Sequence, residues 1–517
     1  MKLERLFALK RDRAFLQAVV LTAGRVAALA LQIVTIRFFT TLIAPVEVGR
    51  YYLLLAAQTW ATLLLLGAPS MYLWRNFLEW RKRDLHLRAL AIFFGYCAGV
   101  ALVSLPVFWI AVHLGFVSTR SALATSVVLV IWLVAATAMN VLAMALNLVQ
   151  SRVASVLVAT GSSVLALLGA LFAISLTASR TAEVWIGGLA AGTAIAAIAG
   201  AVWLRRVAGL QRAHDATAQR LEPDGSLWRS VWLFSWPIAV ITGLYWVQSQ
   251  GYRRILLTTA GESGVGVFAV AWSIGATMGI AVDQILQQWI LPPFFHRVAD
   301  GRSVESIDAL WQEYFAAVLR LLIPLAALTA AASPFLLRLL AGPTFQLHPM
   351  LPVWAAVSET FHVVANLFYL GGIARRQTRE MVLPFVPGVI WVLAAVHPAS
   401  ARFGLHGAGA AVFVSYLVLG VVMWWTVQRR IFSKVTMRDL TAPSAFGLLI
   451  ILFCAIAGLA GWQASLTKAA VTVVIAGLLF AGGALTGLPR LLALTQPPSE
   501  NEQPPIEASV IEEAPCL

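Results

Sequence analysis

LTAGRVAALALQIVTIR (residues 21–37) decides the fold class, because it forms the middle and end of a helix-length apolar run whose centre holds Arg25. It belongs to a mostly apolar run from Ala14 to Ile36, which is long enough to cross a hydrocarbon core of about 30 Å. Arg25 lies roughly 18 Å along the helix axis from either end of this run. A charge at that depth is disfavoured by about 2.5–3.5 kcal/mol on insertion scales. We therefore expect Arg25 to face a wet cavity, an acidic partner such as Asp283, or an anionic ligand.

The composition places the whole chain in a membrane. Hydrophobic residues make up 60% of the 517 positions and charged residues only 12%, whereas soluble domains carry about 25% charged residues. The net charge of +14 does not indicate nucleic-acid binding, because the Lys and Arg residues form short clusters between apolar runs, as membrane topology requires. The cysteines, Cys97, Cys454 and Cys516, show no paired spacing, so no disulfide framework is indicated.

Fourteen apolar runs are long enough to cross a membrane, and we number them spans 1 to 14. When the N-terminus is placed in the cytoplasm, 26 of the 37 Lys and Arg residues fall inside and 3 fall within spans; 8 fall outside, with Lys468 at the first position of span 14 counted among them. This bias predicts an even number of spans with both termini cytoplasmic. The spans cover residues 14–36, 49–74, 89–112, 122–147, 153–177, 184–204, 230–250, 264–291, 312–332, 350–373, 382–400, 408–427, 443–463 and 468–488.

The predicted fold class is an all-α polytopic membrane protein made of two six-helix bundles and two further C-terminal helices. The longest cytoplasmic connection falls between spans 6 and 7, which marks the division between the bundles. The predicted units are a basic interfacial segment (1–13), an N-terminal bundle (14–204), an inter-bundle loop (205–229), a C-terminal bundle (230–427), two additional spans (443–488) and a disordered acidic tail (489–517).

A weak internal repeat relates the two bundles. The segments around spans 1 and 2 and around spans 7 and 8 align without gaps, so that Arg37 pairs with Arg254, Gly49 with Gly266 and Tyr52 with Ala269. Related halves are how many transporters build a binding site near the middle of the membrane. We therefore predict a pseudo-two-fold repeat around a central cavity.

Ionisable residues at membrane depth are the candidate site residues. The basic ones form a predicted cationic, substrate-binding cavity, which suits an anionic substrate such as a pyrophosphate, although Arg50 and Arg254 could instead extend to the membrane surface. The acidic ones and a histidine are candidates for ion coupling, and Glu359 with His362 forms either a proton relay or a polar packing pair. These sets are Arg25, Arg50, Arg254 and Arg320 for substrate, and Asp283, Glu359 and His362 for coupling.

Other chemistries are not indicated by the sequence. It contains no phosphate-binding loop of the Gly-x-x-x-x-Gly-Lys-[Ser/Thr] type and no His-x-x-x-His pair. We therefore predict no cofactor, no metal site, no catalytic residues and no nucleic-acid partner.

Three segments, 36–75, 234–274 and 403–418, resemble the polysaccharide flippases of the multidrug/oligosaccharidyl-lipid/polysaccharide exporter superfamily. The resemblance covers residues 10–430 in span number and layout, but this chain lacks the acid that the family often places before the position of Arg254. It implies two bundles whose central cavity opens alternately to each side of a bacterial inner membrane. It also implies translocation of an isoprenoid-pyrophosphate-linked oligosaccharide repeat unit to the outer leaflet during lipopolysaccharide or exopolysaccharide synthesis, with polymerase and assembly proteins as further partners.

Two other function classes stay open at this point. A cation-coupled drug antiporter of the same superfold is compatible with Asp283 and Glu359, although the excess of buried bases counts against it. A membrane polysaccharide polymerase or ligase usually needs a sizeable external loop, and the longest outside segment here is short. We expect spans 13 and 14 to line a groove that faces lipid.

Overall fold

The computed structural model describes residues 30–82, 85–149, 151–212, 225–289, 304–374, 382–431 and 441–495, with isolated positions 24, 27 and 28. The N-terminal segment 1–13, Arg25, and the part of the acidic tail beyond Thr495 lie outside the described residues. Within the described ranges, ten helices are long and apolar enough to cross a membrane. Two of these, Arg229–Thr277 and Phe385–Thr426, each comprise two predicted spans. The chain is therefore an all-α, multi-pass membrane protein, as the sequence predicts.

Every predicted span has a helical counterpart in the described part of the chain, and we keep the span numbers for these helices. Span 1 is described from Ala30, and the last helix continues to Thr495, beyond the predicted end of span 14. The helices are Ala30–Leu42, Pro45–Ala61, Thr62–Gly67 (π-helical), Ala68–Lys82, His86–His113, Ala122–Leu148, Arg152–Thr177, Ala182–Arg212, Gly225–Trp246, Val247–Gly251 (π-helical), Tyr252–Trp289, Val304–Leu340, Leu351–Ala374, Phe385–Ile431, Thr441–Leu459 and Leu466–Thr495.

Two glycines separate spans that otherwise run together. Gly261 (φ 66°, ψ −179°) interrupts Tyr252–Trp289, and Gly404 (φ 60°, ψ −148°) interrupts Phe385–Ile431. A side chain is strained at such positive φ values, whereas glycine adopts them readily. Residues 252–260 thus complete span 7 and residues 262–289 form span 8, while Gly404 divides span 11 from span 12.

The two bundles meet where spans 2 and 8 cross, and this crossing confirms the predicted repeat. A Cβ added at Gly49 would overlap the carbonyl oxygen of Glu262, and one added at Gly266 would overlap that of Pro45. Glu262 occupies the position in the repeat that corresponds to Pro45, so each glycine packs against the same point of the opposite helix. Such reciprocal contacts are the mark of a two-fold related interface.

The last two spans pack on one helix of the C-terminal bundle. Gly447 of span 13 lies against Ala327 and Ile323 of span 9. Arg338 near the end of span 9 donates to the carbonyl oxygen of Ala464, between spans 13 and 14, at 3.4 Å. Spans 13 and 14 therefore extend the C-terminal bundle, and their lining of a lipid-facing groove stays a prediction.

Candidate functional site

Every odd-numbered span, from span 1 to span 13, ends at the same face of the molecule. We call this face the outer end, because the predicted orientation places it outside the cytoplasm. Four residues at this end form what we call the outer clasp: Glu47, Arg50, Ser118 and Glu262. Arg50 Nε donates to Glu262 Oε2 at 2.8 Å, and Arg50 also pairs with Glu47. Glu262 accepts a further hydrogen bond from the backbone N–H of Ser118 at 3.2 Å. The clasp therefore ties span 2 and the loop after span 3 to span 8 of the other bundle.

The second carboxylate of the clasp also anchors another helix. Glu47 Oε2 accepts a hydrogen bond from the backbone N–H of Ala182 at 2.9 Å. Ala182 begins span 6, and the first N–H groups of a helix have no partner within the helix. Glu47 therefore satisfies one of these donors while its other oxygen holds Arg50 in place.

A second pair of cross-bundle contacts follows the internal repeat. Arg37 at the end of span 1 donates to the carbonyl oxygen of Ala341, in the loop after span 9. Its repeat partner Arg254 at the end of span 7 places its guanidinium 6.0 Å from the ring centroid of Phe116, in the loop after span 3. Each arginine thus reaches the corresponding loop of the opposite bundle. Together with the outer clasp, these contacts close the outer end between the two bundles.

Spans 2 and 7 stay in contact below the clasp. Trp246 Nε1 donates to the carbonyl oxygen of Ala56 at 2.8 Å, and Thr242 Oγ1 donates to that of Leu63 at 3.2 Å. Leu63 belongs to the π-helical turn of span 2, which leaves carbonyl groups available to partners outside the helix. Tryptophan and threonine side chains of span 7 therefore use the backbone of span 2 as their acceptor.

The interior of the C-terminal bundle contains a buried acid–histidine pair. Glu359 Oε1 lies 2.9 Å from His362 Nδ1, and both residues are buried in span 10. The His362 ring stacks on Tyr245 of span 7, with centroids 4.9 Å apart, and lies 5.6 Å from the ring of Tyr416 of span 12. Glu359 also packs against Gly279 of span 8. Two sequence-predicted coupling residues are therefore joined where four spans meet.

A neutral pair continues this polar region toward span 11. Gln248 Nε2 donates to Ser415 Oγ at 2.6 Å, and Gln248 is completely buried. Gln248 belongs to the π-helical turn of span 7, and such turns often mark functional sites. Gly388 of span 11 lies so close to Gln248 that an added Cβ would meet its amide. We call Gln248, Glu359, His362, Ser415 and Tyr416 the polar cluster.

Arg253 is buried, although it is not among the site residues predicted from the sequence. It is 5% exposed, whereas its neighbour Arg254, the predicted site residue, is exposed. Helical spacing carries the missed signal: Arg253 shares a helix face with Leu256, which is fully buried, while Arg254 shares one with the exposed Thr258. The order of two adjacent arginines thus decides which of them enters the interface.

The other predicted site residues lie in different places. Arg320 of span 9 is buried, and Asp283 lies in the helix Tyr252–Trp289, although its side chain lies outside the described part. Arg50 and Arg254 lie at the outer end. The pair Glu359–His362 lies in the interior of the C-terminal bundle instead. The structure therefore brings Glu359 together with His362, but it pairs Arg50 with two acids, Glu47 and Glu262, that are not among the predicted site residues.

Glu47 and Glu262 were missed because each follows a loop and so looks like an ordinary solvated charge. A signal existed for Glu47, which lies three residues before Arg50 and therefore on the same helix face. For Glu262 the signal was its place in the repeat opposite Pro45. Among the described residues, no group of three or more His, Cys, Asp and Glu side chains could hold a metal ion.

Neither a protein-family model nor any curated protein sequence matches this chain. Solved structures do match. The lipid II flippase MurJ in an inward closed conformation superposes with a TM-score of 0.64 at 9% identity, over 92% of this chain and 100% of that one. A point mutant of the Vibrio cholerae MATE transporter VcmN gives 0.56 at 15% identity, over 82% of this chain and 97% of that one.

A multidrug resistance MATE family transporter of the MOP superfamily, in an inward-facing conformation, gives a TM-score of 0.51 at 12% identity, over 80% of this chain and 93% of that one. At these identities the likeness concerns the fold. The sequence-based resemblance is thereby confirmed at the level of architecture, and the chain has the all-α, two-bundle fold of these membrane transporters.

Proposed function

We propose that this protein is a flippase that moves an isoprenoid-pyrophosphate-linked oligosaccharide repeat unit from the cytoplasmic to the outer leaflet by alternating access. The observation that carries the proposal is the closed outer end. It is held by an ion pair, single hydrogen bonds and a glycine crossing between two bundles of related fold. Contacts of this kind separate at low cost, which rocking of two bundles about a central site requires.

The substrate class follows from what the membrane excludes. A charged, hydroxyl-rich headgroup cannot enter hydrocarbon, because each unpaired polar group costs several kcal/mol. A wet cavity that contains arginines lowers this barrier, since guanidinium groups bind phosphate oxygens through paired, charge-assisted hydrogen bonds. Arg25 and Arg320 are the candidates for this role within the spans. The structural neighbour with the highest TM-score given above is itself named a lipid II flippase, which supports a lipid-linked substrate.

The cellular setting is part of the same proposal. A lipid-linked repeat unit is consumed on the outer leaflet, so we place the protein in a bacterial inner membrane with both termini in the cytoplasm. It would supply polymerase and assembly proteins of lipopolysaccharide or exopolysaccharide synthesis. The positive bias of the predicted inner loops supports this orientation.

A cation-coupled antiporter of drugs or other small molecules is the second candidate. The buried pair Glu359–His362 favours it, because an acid and a histidine in contact can exchange a proton inside the membrane. Two of the structural neighbours are named MATE transporters. The same pair could couple transport to protons in a flippase as well. The two candidate functions therefore differ in the substrate that is moved and not in the coupling ion.

The test is translocation of a lipid-linked oligosaccharide in proteoliposomes. We expect the wild type to flip this lipid, Arg25→Ala to fail while it remains folded, and Arg25→Lys to recover part of the rate. Arg180→Gln, which removes a charge from an exposed loop position, is the matched control and should behave as wild type. Exchange of small cations or drugs for protons, without movement of the lipid, would instead establish the second candidate.

A further inference from the structure

Arg253 is a buried cation at the contact between spans 2 and 7. Its side chain is nine-tenths buried, and no acid among the described residues forms an ion pair with it. Its guanidinium donates a hydrogen bond from Nη1 to the backbone carbonyl oxygen of Tyr52 at 3.2 Å. Its Nε is buried and has no acceptor among the residues that the structure describes. A guanidinium offers five N–H donors, so most of the capacity of this group is unused in the closed structure.

Tyrosines take the place of an acid around this group. The guanidinium carbon lies 5.1 Å from the ring centroid of Tyr52 and 6.0 Å from that of Tyr252. An arginine over an aromatic face is stabilised by the ring quadrupole, especially where water is excluded. The stabilisation is weaker than that of a charge-assisted pair with an oxyanion. An anion that reaches Arg253 can therefore displace the tyrosine ring from its guanidinium.

Tyr52 belongs to the opposite bundle and covers Arg253 only because the outer end is closed. Its hydroxyl is 3.0 Å from Ser273 Oγ of span 8, so this one side chain of span 2 contacts both span 7 and span 8. Separation of span 2 from spans 7 and 8 would break both contacts. The guanidinium would then face the opening between the bundles with its donors free.

The internal repeat marks this contact as an addition to a symmetric interface. Tyr52 corresponds to Ala269 in the repeat, and in the same register Arg253 corresponds to Ile36. The symmetry-related positions therefore hold an isoleucine and an alanine, with neither the cation nor its aromatic cover. Burial of a charge in one copy of a repeated interface costs stability. Binding of a ligand by Arg253 would account for this cost.

We propose that Arg253 is an anion-binding residue. Tyr52 covers its guanidinium while the outer end is closed, and a phosphate or pyrophosphate group takes it when the outer end opens. This rests on the proposed function and names the residue that receives the charged group of the substrate on the outer side. Because the anion binds the open form and not the closed one, its binding shifts the equilibrium toward opening. Binding of the substrate thereby opens the outer end, which the contact of Tyr52 with Arg253 helps to keep closed.

The experiment measures opening directly, without transport. Spin labels at Thr41 and Leu347, two exposed positions on opposite bundles at the outer end, report the distance between the bundles. The background replaces Cys97, Cys454 and Cys516. The protein in nanodiscs is titrated with inorganic pyrophosphate, with farnesyl pyrophosphate and, as an ion control, with chloride.

We expect either pyrophosphate to increase the long-distance population of the wild type, and chloride to leave it unchanged. Response to farnesyl pyrophosphate alone would assign the anion to a lipid headgroup, and response to both would assign it to any accessible pyrophosphate. Arg253→Gln should raise the half-saturating concentration at least tenfold. Arg253→Lys should raise it less, because it keeps the charge but loses the paired donors. The exposed Arg180→Gln should respond as wild type.

Tyr52→Leu supplies a second test, which remains valid even if the Arg253 variants do not fold. Removal of the aromatic cover should populate the open distance before any anion is added. A wild-type response in Arg253→Gln, or an unchanged distance distribution in Tyr52→Leu, would overturn the assignment. Wild-type protein that opens with farnesyl pyrophosphate but does not flip the oligosaccharide lipid would instead refute the proposed function alone.

Discussion

The two bundles share a fold but differ in how their interiors are packed. In the N-terminal bundle, spans 5 and 6 approach through Gly169, Gly188 and Gly192, where an added Cβ would overlap the backbone of the facing helix. In the C-terminal bundle, spans 7, 10 and 12 meet through the side chains of the polar cluster. Small residues allow backbones to pack closely with no chemistry between them. Buried ionisable groups within a membrane mark functional positions.

This difference indicates a division of labour between related halves. Helices that pack through close backbone contacts fit together in one arrangement. Such packing suits a bundle that moves as a rigid unit. A pair such as Glu359–His362 has several protonation states and hydrogen-bond patterns, so the contacts of spans 7 and 10 can change with its charge. We therefore propose that the N-terminal bundle moves as a rigid unit and that the C-terminal bundle senses ions.

The largest effect is expected at the crossing that the two bundles share. Gly49→Ala and Gly266→Ala each place a methyl group on the backbone of the opposite helix, and overpacking of this kind costs about 3 kcal/mol. We expect each to lower the outer-closed population by about 100-fold and to abolish transport, measured by the spin-label distance and by lipid flipping. Gly187→Ala, where an added Cβ meets nothing, is the control. Unequal effects at Gly49 and Gly266 would break the equivalence of the two halves.

The sequence predicted the architecture well because spans and charges are local signals. Span lengths and the Lys and Arg bias do not depend on how the helices pack, and the pairing of Gly49 with Gly266 needed only a gap-free alignment. The site was harder to predict. Glu262 became part of the outer clasp only through a contact between bundles, and the burial of Arg253 instead of Arg254 depends on the rotation of span 7. Such features arise from tertiary packing, which hydropathy does not encode.

The second prediction concerns the interiors. Glu359→Ala removes the acid and leaves His362 Nδ1 buried without this partner, which costs about 1–3 kcal/mol. Thr193→Val is the matched change in the N-terminal bundle, where the hydroxyl donates to the carbonyl oxygen of Leu189 in its own helix. We expect thermal unfolding in detergent to show a clear loss for the first and little for the second. Equal losses would show that the polar cluster is ordinary packing and remove the contrast between the bundles.

The same pair allows a functional readout. If Glu359 and His362 couple transport to protons, Glu359→Gln should flatten the dependence of flipping on a pH gradient, because the amide cannot exchange a proton. The fold should persist, since the amide still offers an acceptor to His362. An unchanged pH dependence in this variant would remove the pair from coupling.

A smaller effect is expected at the outer clasp. Glu262→Gln keeps the side-chain shape but removes the charge that binds Arg50, while Glu47 remains as the second acid. Because both partners are partly exposed, the ion pair contributes only about 1 kcal/mol. We expect a roughly fivefold shift toward the open distance, which high salt would reproduce in the wild type by screening. A salt-independent distance distribution would show that the glycine crossing alone holds the outer end.

The smallest effect concerns a pair of histidines in the C-terminal bundle, His348 and His406. His348 Nδ1 lies 3.4 Å from His406 Nε2, which joins the loop after span 9 to the start of span 12. Burial, together with the neighbouring His406, lowers the pKa of His348 below its usual value. The folded state therefore resists protonation, so the stability that this group contributes is present at neutral pH and is lost as the pH falls through the range below about 6.5.

The loss should stay under about 1 kcal/mol, because the pair is only partly buried and is screened by solvent. It should appear as a lower unfolding temperature at pH 5 than at pH 7.5, and His348→Gln should reduce this difference. His113→Gln tests the corresponding end of the N-terminal bundle, where the histidine stacks on Trp109 at 5.4 Å instead of facing a second histidine. An equal reduction in both variants would mean that acid acts on the two bundles alike. A reduction confined to His348→Gln would place this acid sensitivity in the bundle that contains the polar cluster.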